Sequence, residues 1–310
     1  MRFTVETWAP EYSGAVGAPD AVPEAGTTVV DPNVELPVAE WRPIAPLATS
    51  PVPAPRVLFI DGVRRVEATV WISDDGGAVH RGLCASYAAG VVVCDGIAQI
   101  VECRLERGLF CSLANGEPIR TRRLDFGLHV VAGGGDALML AIQKRMARLE
   151  VEVAAAHRGE ASTIVVDGPL RDGHDDPDLV GYIKTHAVAY GPAIVSDVVA
   201  ALEVGQRTPL MLLGVPNDRF SWYLRLPGPK AHGWSGIVRL EVLASRSVQE
   251  VVAKADALAR ELPRFASAAH KDPRAPQNLY PIAGLERELR RRLGDAAFVL
   301  RELREAATLT

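Results

Sequence analysis

The chain is 310 residues long, 48% hydrophobic, with a formal net charge of −4. That length holds one large domain or two ordinary ones, and the apolar share suffices for a sizeable core. The charge excludes a protein coated in basic residues, so any contact with nucleic acid has to use a local patch.

Of the 34 basic residues only Lys144, Lys184, Lys230, Lys254 and Lys271 are lysines. Arginine suits bidentate phosphate contacts, but a composition bias explains the excess more simply. Cys84, Cys94, Cys103 and Cys111 form no CxxC pair and have no histidines clustered near them. They sit in or beside apolar strand-like segments, as small buried thiols do, which argues against zinc and against a disulfide framework. The opening "MRFTVETWAPEYSG" lacks the blocks of an export signal, and no apolar run reaches the roughly 18 residues of a membrane span. A cytoplasmic, soluble protein without a membrane partner is expected.

Residues 1–55 are dense in proline, as in "GAPDAVPEAG" and "PLATSPVPAPR". Proline at that density prevents a regular helix or a central strand. The segment reads as an extended arm, with Trp8 and Trp41 as apolar anchors, or as a disordered tail. From residue 57 strand signals follow one another: "RVLFIDG", "RVEATVWIS", "AVHRGLCASYAAGVVVCDG" and "IAQIVECRLERGLFCSL". Short connections with Gly or Asp-Gly turns predict an antiparallel meander.

Residues 133–159 carry apolar side chains at Leu138, Ile142, Met146, Leu149 and Val153, a helical spacing, with Asp136 as a plausible N-cap and an end near Gly159. "STIVVDGPL" is a short buried strand, and "LVGYIKTHAV" a strand or strand-turn. "IVSDVVAALEVGQRTP" reads as a helix stopped by Gly205. "PLMLLGV", "FSWYLRLPG" and "GIVRLEVLA" read as strands, the second with Phe220, Trp222 and Leu224 on one face and Ser221, Tyr223 and Arg225 on the other. "SVQEVVAKADALARELPRFA" is a serine-capped helix, and the end of the chain is one helix or a pair broken at Gly294.

Two buried-strand signals end in Asp-Gly: "VLFIDGVRR", with Asp61 at its end and Gly62 allowing a sharp turn, and "STIVVDGPL", with Asp167. A lone Asp-Gly after a strand is usually only a turn. Two such acids on neighbouring strands would repel, and a divalent cation is the usual relief, since Mg²⁺ and Mn²⁺ favour a few carboxylate oxygens with water and phosphate. Such cations activate water and stabilise a leaving oxygen. Glu150, beside the buried stripe of the long helix, is the candidate third acid, with a solvated-face role as the alternative; Glu152 points away. Lys184 reads as a cation facing phosphate or a polarised water, or as an edge-strand lysine. The densest basic runs are "IRTRR", whose Arg122 and Arg123 are the candidate DNA contacts, and "RRR" at 290–292, although such runs are more often solvated faces than phosphate clamps. Tyr182, Trp222 and Tyr223 have the chemistry to stack on unpaired bases, against a stronger expectation of core packing.

In order along the chain stand an Asp-Gly strand signal, a helical Glu, "VVDGPL", "VGYIKTH", "WYLRL", and "VRLEV" followed by "LYPIAGLERELR". Over roughly residues 56–295 this order resembles the NurA family of DNA-end-processing nucleases. The resemblance implies an α/β chain with an RNase H-like mixed central sheet flanked by helices over 56–310, behind the Pro-rich N-terminal arm of 1–55. It implies a Mn²⁺- or Mg²⁺-dependent deoxyribonuclease in DNA end resection and double-strand break repair. The partners it implies are DNA and a HerA-type hexameric ATPase, with the chain as a homodimer. By position, Asp61, Glu150 and Asp167 would be the metal-binding and catalytic acids, Lys184 the catalytic lysine, and Arg225 would face the site or the DNA phosphates. The sequence departs from the family after Tyr280-Pro281, where a histidine is common and this chain offers Glu286 and Glu288, and at Val63, where a small serine is common. Two rivals follow: a catalytically silent adaptor that binds DNA and a translocating ATPase, and an ASKHA-type phosphotransferase, whose glycine-rich phosphate loop would have to be "VAGGGDAL".

Overall fold

The computed structural model describes residues 2–6, 29–46, 56–74, 76–161, 163–185, 190–214 and 218–309. Trp8, one of the two expected arm anchors, lies outside these residues. A mixed sheet of twelve strands runs through the molecule, with helices on both faces. The meander expected from the first strand signals forms its middle: β3 (Val57–Ser73), β4 (Val79–Asp95) and β5 (Ile97–Cys111), each antiparallel to the next. β6 (Ile119–Arg120) and β7 (Asp125–Val130) complete that side. On the other side of β3, β8 (Thr163–Asp167) and β9 (Leu179–Ile183) run parallel to it. β12 (Ile237–Leu243), β11 (Arg219–Arg225) and β10 (Met211–Leu213) follow, all antiparallel. Two short strands from the first 55 residues pair at edges: β1 (Arg2–Val5) with the far end of β3, and β2 (Val30–Asp31) with β10.

"RVLFIDG" and "RVEATVWIS" are one strand rather than two. Asp61 and Gly62 pair with Gly90 and Ala89 inside a ladder that runs from Val57 to Ser73 with one bulge, between Val66 and Ala68, and Gly62 is not among the glycines with positive φ. Turn preference at Asp-Gly is a local term, and sixteen rungs of pairing with β4 override it.

Helix α1 (Gly135–Ala156) is the long helix read from its spacing, and it buries Leu138, Ile142, Met146, Leu149 and Val153 as expected. Its N-cap is Gly134, and Asp136 lies inside the first turn, where it meets the positive end of the dipole. α2 (Ala193–Ala201) stops at Leu202, short of Gly205. α3 (Val248–Glu261) opens with a capping box: Glu250 N–H donates to Ser247 Oγ at 3.4 Å, and Ser247 N–H donates to Glu250 Oε2 at 2.9 Å. α4 (Tyr280–Arg292) and α5 (Ala296–Thr308) are separated at Gly294, whose φ of +85° ends the first of them.

α1 and α2 cover one face of the sheet; α3, α4 and α5 cover the other. Phe220, Trp222 and Leu224 face α3 while Tyr223 faces α2, so β11 is buried on both sides. Tyr182, Trp222 and Tyr223 are all fully buried, which makes them core rather than base-stacking residues. Trp41 packs against α2, and its indole N–H donates to Pro32 O at 3.0 Å. A deeper tie lies beside it. The Arg207 guanidinium, 1% exposed, makes a two-pronged bond to Glu35 at 2.9 Å on each prong and a third bond to Asp256 at 2.6 Å. All four cysteines are free, Cys103 half-buried and the others buried. Among the described residues no helix is long and apolar enough to cross a membrane.

Candidate active site

Strands β3 and β8 pair in parallel from Val57↔Thr163 to Ile60↔Val166, where the pairing ends. Asp61 and Asp167 are the next residue on each strand. Side chains alternate along a strand, and Val57, Phe59 and Val165 all pack toward α3 and α4, so both acids belong to that face. The sequence expectation that the two acids lie on neighbouring strands therefore matches their placement, although Asp61 arrives from within a strand.

Asp61 is 7% exposed, and its Oδ1 accepts from the Gly62 N–H at 2.8 Å. Burial and then the Asp167 charge hold its carboxyl well above the usual aspartate range, Lys184 works against them, and Glu150 adds to the rise. Asp167 is also held up, mainly by burial, with Lys184 opposing. The Lys184 ammonium, one residue past β9, donates to Asp167 Oδ2 at 2.5 Å and to Asn278 Oδ1 at 3.1 Å. Lys184 is thus the counter-charge of the acid pair.

Glu150 approaches from the opposite face. It is 2% exposed, on α1, and a Cβ built on Gly62 would stand 2.6 Å from its Oε1. Gly62 serves as space for that carboxylate, not as a turn. Arg171, in the loop after β8, meets Glu150 Oε2 at 3.2 Å. The three acids thus reach the end of the β3–β8 pairing from both faces of the sheet. Two protein cations already balance them, and among the described residues no three Asp, Glu, His or Cys side chains stand as a ready metal-ligand group.

Several neighbours escaped the sequence reading. Asn278, fully buried just before α4, joins Lys184 to Asp272, to which its amide donates at 2.6 Å. Arg274 and Glu286 face Asp167, and the Glu286 charge adds to its elevation. Burial pushes Glu286 up, but hydrogen bonds from Arg274 at 2.7 Å and Arg290 at 2.8 Å outweigh it and keep its carboxyl low. Of the two late glutamates, Glu286 is the one turned toward the acids; Glu288 is engaged by Arg291 and Arg292 on the outer side of α4. A lone Asn in "APQNLYP" carries no signal beyond turn chemistry, so nothing in the sequence distinguishes it.

Of the three arginines expected to contact DNA, Arg225 is buried, whereas Arg122 and Arg123 are on the surface. Arg225 is 3% exposed, on the α2 face, and its guanidinium is spent on the backbone carbonyls of Ser235, Gly233 and Val199. Its side-chain donors face main chain, not phosphate. Arg122 and Arg123 are exposed in the turn between β6 and β7, where Arg123 stacks over Phe298 of α5 at 5.4 Å. They belong to the α5 end of the sheet, away from the cluster formed with α4.

No family model and no curated protein matches the chain. Among solved structures it is similar to the NurA nuclease from Sulfolobus solfataricus, at 12% identity and a TM-score of 0.48, over 81% of this chain and 82% of that one. A likeness of that size assigns no residue a role.

Proposed function

We propose that the protein is a metal-dependent deoxyribonuclease that hydrolyses phosphodiesters, with Asp61 and Asp167 at its centre. The single observation that carries the reading is this buried pair of acids, side by side where β3 and β8 stop pairing, with Asp61 held well above its ordinary range. Such an arrangement costs stability unless a cation offsets it, and perturbed acids of this kind cluster at functional sites. The strand order β5-β4-β3-β8-β9, antiparallel across the first three and parallel across the last three, supports an RNase H-like sheet.

The donor chemistry suits Mn²⁺ or Mg²⁺, because carboxylate oxygens are the hard ligands these ions favour, and the acids would have to draw together and exchange Lys184 and Arg171 for the ion. Asp61 and Asp167 would hold the ion, with Glu150 as the acid from the α1 side. Bound there, the metal supplies Lewis acidity toward water and the phosphoryl oxygens. The chain's own residues do the rest. Lys184 keeps a positive charge beside Asp167, where it meets a phosphate oxygen of the substrate. Glu286, braced by Arg274 and Arg290, supplies a further acid in place of the family's histidine. DNA as substrate, end resection, a HerA-type ATPase partner and a homodimer are what the resemblance of the motifs to the NurA family implies.

A second reading is favoured by one observation: Lys184 and Arg171 already neutralise Asp167 and Glu150. An adaptor that binds DNA and an ATPase without cutting would keep such ion pairs closed. The test is cleavage of linear single- and double-stranded DNA with Mn²⁺, Mg²⁺ or chelator, with and without a HerA-type ATPase. Asp61→Ala and Asp167→Ala are each expected to abolish cleavage while circular dichroism stays that of the wild type. If folded wild-type protein never cuts under any of these conditions, the adaptor reading replaces the nuclease.

A further inference from the structure

The Lys184 side chain emerges one residue beyond β9 on a flexible stem, yet its ammonium is held at two points, Asp167 Oδ2 at 2.5 Å and Asn278 Oδ1 at 3.1 Å. Asn278 is fully buried, and its amide has one chemically sensible orientation. Its NH₂ donates to Asp272 Oδ2 at 2.6 Å, and a carboxylate only accepts. Its carbonyl then has to face Lys184, which only donates. Turning the amide over would set NH₂ against NH₃⁺ and C=O against COO⁻.

Asp272 is itself fixed: its Oδ1 accepts from the Arg274 N–H at 2.7 Å. The loop is tied to the sheet by the Tyr182 hydroxyl, which donates to Gln277 O at 2.6 Å, and internally by the Asn278 N–H, which donates to Arg274 O at 3.0 Å. An unbroken chain of bonds thus runs from the 272–278 loop through Asn278 to Lys184 and Asp167.

We infer that Asn278 is a positioning residue: oriented by Asp272, it holds the Lys184 ammonium against Asp167, so that the loop before α4 sets the geometry of the reacting centre. The inference rests on the nuclease reading for its catalytic consequence, but not for its physical content. Asn278 touches no reacting atom and acts through Lys184. Partners of this second rank around a metal site change activity by roughly 10–100-fold when removed.

The experiment compares wild type, Asn278→Leu, Lys184→Met and the double variant in Mn²⁺-dependent DNA cleavage. Asn278→Leu is expected to lower kcat about tenfold with KM within about twofold, and to cost nothing further in the Lys184→Met background. A loss that multiplies with that of Lys184→Met, or one that appears in KM alone, overturns the inference. In parallel, Lys184 is labelled by reductive methylation and followed by mass spectrometry, with Lys144 as internal reference. Losing one charge-assisted bond is expected to speed labelling of Lys184 about tenfold in Asn278→Leu; an unchanged rate overturns the inference. Should Asn278→Leu fail to fold, Asp272→Ala frees the amide to turn and is held to the same outcomes. If the wild type does not cleave at all, the nuclease reading falls, and the labelling result alone decides the role of Asn278.

Discussion

Gly62→Ala should separate Glu150 from its seat with a single methyl group. The added Cβ would stand 2.6 Å from Glu150 Oε1 and 3.1 Å from both Cγ and Cδ. Ordinary contact begins at 3.4 Å, so the carboxylate has to retreat by about 0.8 Å. It is 2% exposed and engaged by Arg171 at 3.2 Å, so the retreat has to strain either that ion pair or the packing of α1 on β3. Overpacking of this kind costs about 1–3 kcal/mol. In a chain this long each kcal/mol lowers the melting temperature by about 2 °C, so a fall of about 2–6 °C is expected by differential scanning calorimetry. Glu150→Asp shortens the side chain by one methylene and withdraws the oxygen from the clash. In that background Gly62→Ala should cost less than half as much. Equal costs in the two backgrounds, or a Gly62→Ala protein melting within about 1 °C of wild type, would refute the placement of Glu150 over Gly62.

Asp61→Asn should stabilise the metal-free protein at neutral pH. Burial and the neighbouring acids raise the folded-state pKa of Asp61 above the ordinary aspartate value of 3.8, so the folded protein holds a proton that the unfolded chain gives up. Wild-type stability therefore falls as pH rises from 3.8 through the folded pKa, and the gain from Asn is complete above it and absent below 3.8. A tenfold gain in proton affinity on folding is worth about 1.4 kcal/mol, and melting curves from acid to neutral pH measure the effect; an Asn variant no more stable at neutral pH would show that Asp61 is not a strained charge. Arg207→Ala leaves Glu35 and Asp256 without their shared cation, and urea unfolding should register a loss of about 3–5 kcal/mol; a loss under about 1 kcal/mol would mean that the arm is not clamped there. Arg225→Ala should lower stability by about 2–3 kcal/mol, because three carbonyls, one of them in a buried contact, lose a charged donor, while DNA affinity and its salt dependence stay those of the wild type. A shallower salt slope would return Arg225 to the DNA surface.

Features of this chain that repeat with a local period or obey a local cap are legible in the order of its amino acids. The five apolar positions of α1 recur at helical spacing and all lie in its buried stripe. Phe220, Trp222 and Leu224 alternate with Ser221, Tyr223 and Arg225 across β11, and Ser247 caps α3, because both patterns depend only on neighbours along the chain. Asp167 at a strand end was legible for the same reason. The identical Asp-Gly signal at Asp61 pointed to a turn that does not exist, since long-range pairing with β4 outweighs a dipeptide preference.

Which charges meet is set by the packing of distant segments. Glu150 comes to the acids over a glycine on another element, Lys184 finds Asp167 from an adjacent strand, and Asn278 reaches Lys184 across 94 positions of sequence. Arg225, on a face that alternation identified correctly, is consumed by carbonyls of α2 and of the loop before β12. Periodicity states that a side chain is buried; which partner compensates its charge depends on the order and direction of strands. Residues far apart in sequence set that order through contacts that leave no regular mark on either segment.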